Sequence, residues 1–314
     1  MKRLLQWALL AAMIFALALL APSPALVEEI ALNPAQAVPI PLDAAAGYPP
    51  LEAGYAGDCA YQDATIRVEI AKDVYCDTPV YVARVRVADA SQLRTMLADK
   101  YGSQRTVLAT RLAERGNAVL AVNGDYYSYM STGLVVRQGK LWRCRPDAAL
   151  DALIIDTNGD LHAVKNIDEA ALDEAMERFG GAAADGGSIA QALTFGPALV
   201  IDGKRAHETF VRPDGGESKR TQRMVIAQDA PLSYLLVCCE GPDNDHSRGL
   251  TLEEMAQYVL SLGVNTAYNL DGGGSATMVF RGEKINALST SKNRSVSDIV
   301  YFCTALRDGG DGGQ

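Results

Sequence analysis

Asp271 stands before three consecutive glycines, Gly272 to Gly274, and two hydroxyls, Ser275 and Thr277, follow them in the run YNLDGGGSATMVF. Each glycine costs about 0.5 to 1 kcal/mol of chain entropy relative to alanine, so three together need a reason. Glycine permits a left-handed backbone and the close approach of a ligand, and successive amides in such a turn form a concavity for an anion. With a carboxylate at its rim, that concavity is suited to act on an anionic ester. A tight turn between two strands is the structural alternative, and the glycines alone do not decide between the two.

Asn123, Asp125, Arg223 and Asn269 extend the set of groups that could do chemistry, and the sequence supplies few competitors. The three histidines, His162, His207 and His246, are scattered, with none of the HxH or HxD clustering that two-cation phosphodiesterases use. There is no GxSxG elbow and no Gly-Lys-Ser/Thr after a glycine loop. The run DNDHSRGLTLEE has the carboxylate spacing of a calcium loop, but Arg248 occupies the position that needs glycine. Thr251 and Glu254 fit a capping box better. With no CxxC either, no metal ligand and no cofactor is expected, and assistance by a divalent cation stays open.

In chain order, AVNGDYYS, TFGPALVIDGK, the QRMVIAQ strand, RGLTLEEMAQYVLSLG and YNLDGGGSATMVFRGEKIN resemble the phosphodiester glycosidase family, from Tyr81 to Phe302. The resemblance implies a mixed α/β fold and hydrolysis of the bond between a sugar's anomeric carbon and a phosphodiester oxygen. It maps the family's motif residues onto Asn123, Gly124, Asp125, Arg223, Asn269, Asp271, Gly272, Gly273, Ser275 and Thr277. One motif departs: a Pro-Arg-Thr of animal members reads Gln222-Arg223-Met224, which keeps the arginine and loses the hydroxyl.

Such a reaction suits these side chains. A phosphate monoester is a good leaving group, so the C–O bond can break with little general-acid help and without histidine. Glycosidases place Asp or Glu at the anomeric carbon as nucleophile, base or oxocarbenium stabiliser, and Asp271 and Asp125 are the candidates. Arg223 can grip phosphate with its planar fork, and the amides of Gly272 and Gly273 can add donors as charge develops. Asn123 and Asn269 are expected to position loops or a sugar hydroxyl, and Tyr126 or Tyr127 to stack on a sugar ring or join the core. Two rival functions remain: a noncatalytic module that binds anionic surface polysaccharide, and a phosphodiesterase that breaks the P–O bond.

The elements that must position these groups follow from patterning. Residues 1–25, with Lys2, Arg3, an apolar run from Leu4 to Ala21 and small residues at Ser23 and Ala25, read as an export signal or a retained membrane anchor. The protein is then extracytoplasmic, and its partners are a sugar phosphodiester or cell-surface glycopolymer and, through an uncleaved segment, the membrane. A net charge of −9 argues against nucleic acid, although Lys204, Arg205, Arg212, Lys219, Arg220 and Arg223 form a local basic cluster able to line an anion pocket. Residues 26–57 read as a poorly ordered linker, 58–307 as the enzyme domain and 308–314 as a disordered tail. Six cysteines permit disulfides in an oxidising compartment without choosing a pairing, and Cys238 and Cys239 should face opposite sides of one strand.

Within the domain, VYVARVRVAD reads as a strand with an offset at Ala83 and Arg84, and SQLRTMLADKYG as a helix capped by Ser91. A helix near 105–114 precedes a buried strand, 118–122, that delivers Asn123 to Asp125. Hairpins turn at Gln138-Gly139 and Asn158-Gly159, and the second turn accounts for Asp156 and Asp160. An acidic helix at 167–179, strands around the FGP turn, QRMVIAQD, SYLLVCC and 266–270, and a helix at 252–262 complete the pattern. Strands outnumber helices and many are joined by short turns, which predicts an α+β fold of mixed, mostly antiparallel sheets with packed helices.

Overall fold

Short apolar runs that return on themselves through glycine turns build three antiparallel sheets in the computed structural model, which describes residues 38–43, 45–180, 188–211, 218–242, 246–287 and 294–306. The largest runs in the order β1 (Ala60–Gln62), β2 (Ile66–Tyr75), β3 (Thr78–Val87), β14 (Ser233–Cys239), β13 (Arg223–Ala230), β15 (Thr266–Asn269), β11 (Ala198–Ile201) and β12 (Lys204–Arg205). A second joins β7 (Lys140–Arg145), β6 (Gly133–Arg137), β10 (Ile189–Leu193), β8 (Ala152–Asp156) and β9 (Leu161–Val164). The third joins β17 (Glu283–Lys284), β16 (Met278–Phe280), β5 (Leu120–Asn123), β18 (Asp298–Phe302) and β4 (Leu93–Leu97).

One face of each sheet contributes to a shared core that includes Val85 and Leu236, Leu153 and Ile155, and Val122 and Phe302. The other face carries a helix. Helix α1 (Ala109–Gly116) sets Leu112 and Ala113 against Ala121 and Ile299 of the third sheet. Helix α2 (Glu169–Phe179) covers Ile154 and Ala192 with Leu172 and Ala175, and α3 (Leu252–Ser261) covers Val225 and Val237 with Met255 and Val259. Because both faces are covered, β5, β8 and β10 are buried along their whole length, and their apolar residues do not alternate with exposed polar ones. The fold is α+β. Among the described residues no helix is long and apolar enough to cross a membrane.

Several expectations need correction. The segment 91–102 is not a helix: Asp89, not Ser91, closes a capping box with Gln92 over a single 3-10 turn, and Leu93–Leu97 then pairs residue by residue with β18. Long-range pairing outweighs the local helical propensity there. β3 has no offset, because its register with β2 and β14 is unbroken; Val80 and Val82 lie beneath the helix layer, and Arg84 and Arg86 continue that face into solvent. The linker packs from its described part onward, with Ile40 buried in the core and the Gly47 amide donating to the Gly116 carbonyl. At 157–160 the turn is held by Asp156, whose Oδ1 accepts from the Asn158 and Asp160 amides, rather than by a two-residue hairpin.

Other readings match what is seen. Gln138 and Gly139 both take positive φ in the β6–β7 turn. Thr251 and Glu254 form the reciprocal capping box of α3, and Cys238 and Cys239 enter different core clusters. All six cysteine thiols are unpaired. The segments 1–25, 181–187, 243–245 and 308–314, together with Arg212, lie outside the described residues.

Candidate active site

The C-terminal ends of β5 and β15 and the starts of β13 and β16 converge on Asp271. β5 delivers Asn123-Gly124-Asp125 and β15 delivers Asn269, while the glycine run forms a 3-10 turn over Gly273–Ser275. The Gly124 carbonyl accepts from the Asp271 amide at 3.2 Å, and the Asn123 side chain donates to the Asp271 carbonyl at 2.7 Å. Asn123 Oδ1 accepts from the Thr277 amide at 3.0 Å, so one amide side chain grips both ends of the turn. Gly273 takes φ +57, and a Cβ on Gly272 would stand 2.7 Å from the Gln222 carbonyl oxygen. These are the left-handed backbone and close approach that the glycines permit.

Two cavities open on either side of Asp271. The first, about 330 Å³, is lined by Lys219, Arg220, Arg223, Thr221, Phe195, Gly272 and Gly273 as well as Asp271. The second, about 320 Å³, is lined by Tyr126, Tyr129, Thr106, Ser275, Arg294, Ser295 and Ser297, again with Asp271. Asp271 is the carboxylate common to both among the described residues. The first wall is cationic. In the second, the rings of Tyr126 and Tyr129 stack 4.5 Å apart, and Tyr129 is 50% exposed, a surface suited to the apolar face of a sugar.

Burial pushes the Asp271 carboxyl up to about 6, against the Ser275 hydroxyl, the charge of Arg294 and the Gly272 amide, which favour its ionised form, while Asp125 adds repulsion. A carboxyl poised there is ionised at neutral pH and desolvated enough to be reactive.

The remaining residues fall into different places. Arg223 lines the cationic cavity, but its Nε donates to the Leu250 carbonyl at 3.1 Å and its Nη2 to the Lys219 carbonyl at 2.6 Å, so it braces the wall that carries Lys219 and Arg220. The Gly273 amide donates to the Gln222 carbonyl and the Gly272 amide to Asp271 itself, so both amides expected for phosphate are already engaged. Asn269 is buried and its Nδ2 donates to the Gly196 carbonyl at 2.7 Å, which fixes the turn presenting Phe195. Thr277 is buried beside Asn123. Tyr127 lies in the core over Arg137, whereas Tyr126 faces the second cavity.

Asp125 is not at the cavity walls. Its Oδ1 accepts from Arg137 at 3.0 Å and from the Tyr127 amide at 3.1 Å, and its Oδ2 accepts from the Thr194 amide at 2.8 Å. The reason is Arg137, a fully buried arginine that needs carboxylate partners, and the second of these is Asp298 at 2.7 Å. Nothing in the runs GLVVRQG or SVSDIVYF separates these two from ordinary strand residues. Of the basic cluster, Lys219, Arg220 and Arg223 reach the cavity, and Arg205 pairs instead with Glu253.

A carboxylate set between a cationic pocket and an aromatic, hydroxyl-lined one has the chemistry to accept an anionic glycoconjugate. A sequence profile of the phosphodiester glycosidases matches residues 116–303, and the chain belongs to that family. It is therefore a hydrolase, a glycosidase acting on sugar phosphodiesters. Among solved structures, the catalytic domain of zebrafish N-acetylglucosamine-1-phosphodiester alpha-N-acetylglucosaminidase, auto-inhibited by its pro-peptide, shares the fold with a TM-score of 0.58. The match is 18% identical and covers 76% of this chain and 83% of that one. A hypothetical protein from Synechocystis matches with a TM-score of 0.48 and 16% identity, over 76% of this chain and 62% of its own. No curated protein matches the chain.

Proposed function

We propose that the enzyme hydrolyses the sugar C1–O bond of a glycosyl-1-phosphodiester outside the cytoplasm, with Asp271 as the carboxylate at the anomeric centre. The supporting observation is that Asp271 borders both cavities, so a substrate whose phosphate enters the Lys219–Arg220 pocket has its sugar on the Tyr126–Tyr129 side with C1 between them. The ionised carboxyl stabilises or captures the oxocarbenium-like carbon as the C1–O pair leaves with the phosphate. Water then supplies the new C1 hydroxyl and loses its proton. Lys219 and Arg220 offset the charge gained by the departing monoester, and the Arg223 scaffold keeps them in place.

Asn123, Gly124, Asn269, Gly272, Gly273, Ser275 and Thr277 hold Asp271 and the two walls, and Asp125 anchors the loop from behind. The apolar N-terminal run supports export or anchoring, which would present the site to a cell-surface glycopolymer. Hydrolysis in oxygen-18 water tests the bond broken: label in the released sugar is expected, and label in the phosphate would overturn the assignment. Asp271→Asn should abolish sugar release while the fold persists.

A further inference from the structure

Arg137, Asp125 and Asp298 form a charged cluster with no exposed side-chain surface. The guanidinium Nη2 reaches Asp125 Oδ1 at 3.0 Å and Asp298 Oδ2 at 2.7 Å, and Nη1 donates to the carbonyls of Val136 and Ala192. The two carboxyls are not equivalent. Asp125 accepts from three donors over its two oxygens, as an anion requires, whereas Asp298 Oδ1 is buried with no hydrogen-bond partner. Ionising both would leave one net negative charge sealed from water against a single cation, a costly arrangement that proteins avoid by protonating one group.

We propose that Asp298 is a tuning residue that keeps its proton through the mildly acidic range in which Asp271 ionises, so that Arg137 is balanced by Asp125 alone and Asp271 can act as the reacting carboxylate. Its place in the fold is built in at Gly124. A Cβ there would stand 2.4 to 2.6 Å from the Asp298 carboxyl atoms, so the glycine makes room for Asp298 under the loop whose carbonyl holds the Asp271 amide. The groups facing Asp298 are Arg137 from β6, Asp125 and Tyr127 from the loop after β5, and Asp271 from the glycine turn. Burial raises the Asp298 carboxyl, Arg137 opposes this, and Asp125 and Asp271 add to it. Ionised Asp298 would repel Asp271 and loosen the Gly124 support, so activity should fall on the alkaline side.

The effect on catalysis rests on Asp271 being the reacting group, but the protonation state can be read without activity. Carbon-13 carboxyl NMR of the full chain should find Asp298 protonated at pH 6.5; an Asp298 signal already ionised there would overturn the proposal. Asp298→Asn, a permanently neutral isostere, should fold and lose the alkaline limb of the wild-type kcat/KM profile while keeping the acid limb. The same alkaline limb in the variant would also overturn it. If Asp298→Asn does not fold, the NMR titration decides. An active Asp271→Asn enzyme would sink the assignment of Asp271 without touching the proton on Asp298.

Discussion

Asn123 Nδ2 lies 2.7 Å from the carbonyl oxygen of Asp271, and this contact makes the end of β5 and the glycine turn one unit. The same side chain accepts from the Thr277 amide, six residues further along the turn, and the backbone amide of Asn123 donates to the Thr277 carbonyl.

Asn123→Ala would strand a buried carbonyl and a buried amide. At about 1–3 kcal/mol for each unmet group, a loss of about 2–6 kcal/mol is expected in urea unfolding. Because the turn also orients Asp271, kcat should fall by roughly 10²-fold with KM changed much less. Equal changes in both kinetic constants would show that Asn123 binds substrate directly.

Gly272 and Gly273 are required for different reasons, and their alanine variants should separate. At Gly273, φ +57 strains an alanine by about 1 kcal/mol, but the nearest atom to its Cβ, Thr221 Oγ1, is 3.7 Å away. At Gly272 the Cβ would press on the Gln222 backbone carbonyl at 2.7 Å, which forces β13 and the turn apart. Gly272→Ala should therefore lower the melting temperature more than Gly273→Ala and also reduce activity further. The reverse order would mean that left-handed backbone, not the close approach, governs the turn.

Much of this was legible in the sequence because it is local. The strand that delivers Asn123, the Thr251–Glu254 capping box and the glycine turn each need only a few neighbouring residues to be recognised. What was missed is long-range. Leu93–Leu97 is helical by propensity and extended by its pairing with β18, some 200 residues away. Asp125 has the composition of a catalytic acid, and only the arrival of Arg137 and Thr194 from the second sheet shows that its lone pairs are engaged. Arg294, Tyr129 and Ser297 join the site from loops with no motif, so no sequence signal singled them out.

Lys219 is exposed at the mouth of the cationic cavity, and among the described residues no contact of its ammonium competes with a role toward an anion. Lys219→Ala should raise KM for a phosphodiester substrate by roughly three- to tenfold, leave kcat nearly constant and leave stability within about 0.5 kcal/mol. The difference from wild type should shrink as salt is raised from 0.05 to about 0.5 M, because screening weakens the lost attraction. A salt-independent defect would place the phosphate elsewhere, and Arg220, tied to Glu254 and the Gly249 carbonyl, would then be the next residue to replace.

The Asp271 carboxyl, raised to about 6 chiefly by burial, links activity and stability through one proton. Catalysis needs the ionised form, so kcat/KM should climb about tenfold per pH unit below 6 and level off above it, until the alkaline fall that ionised Asp298 brings. Stability runs the other way. The folded state binds this proton more tightly than the unfolded chain, where an aspartate titrates near 3.8, so folding is favoured below that value and loses the contribution as pH rises through about 6. Since the carboxyl opens onto two cavities, the loss is about 1–2 kcal/mol rather than the full value of the shift. Asp271→Asn removes the charge and the penalty together. It should match wild type in urea unfolding at pH 4 and exceed it by that amount at pH 7.5, while releasing no sugar at either. A variant that is inactive but no more stable at pH 7.5 would mean that the folded protein does not hold Asp271 in the desolvated position on which the reaction depends.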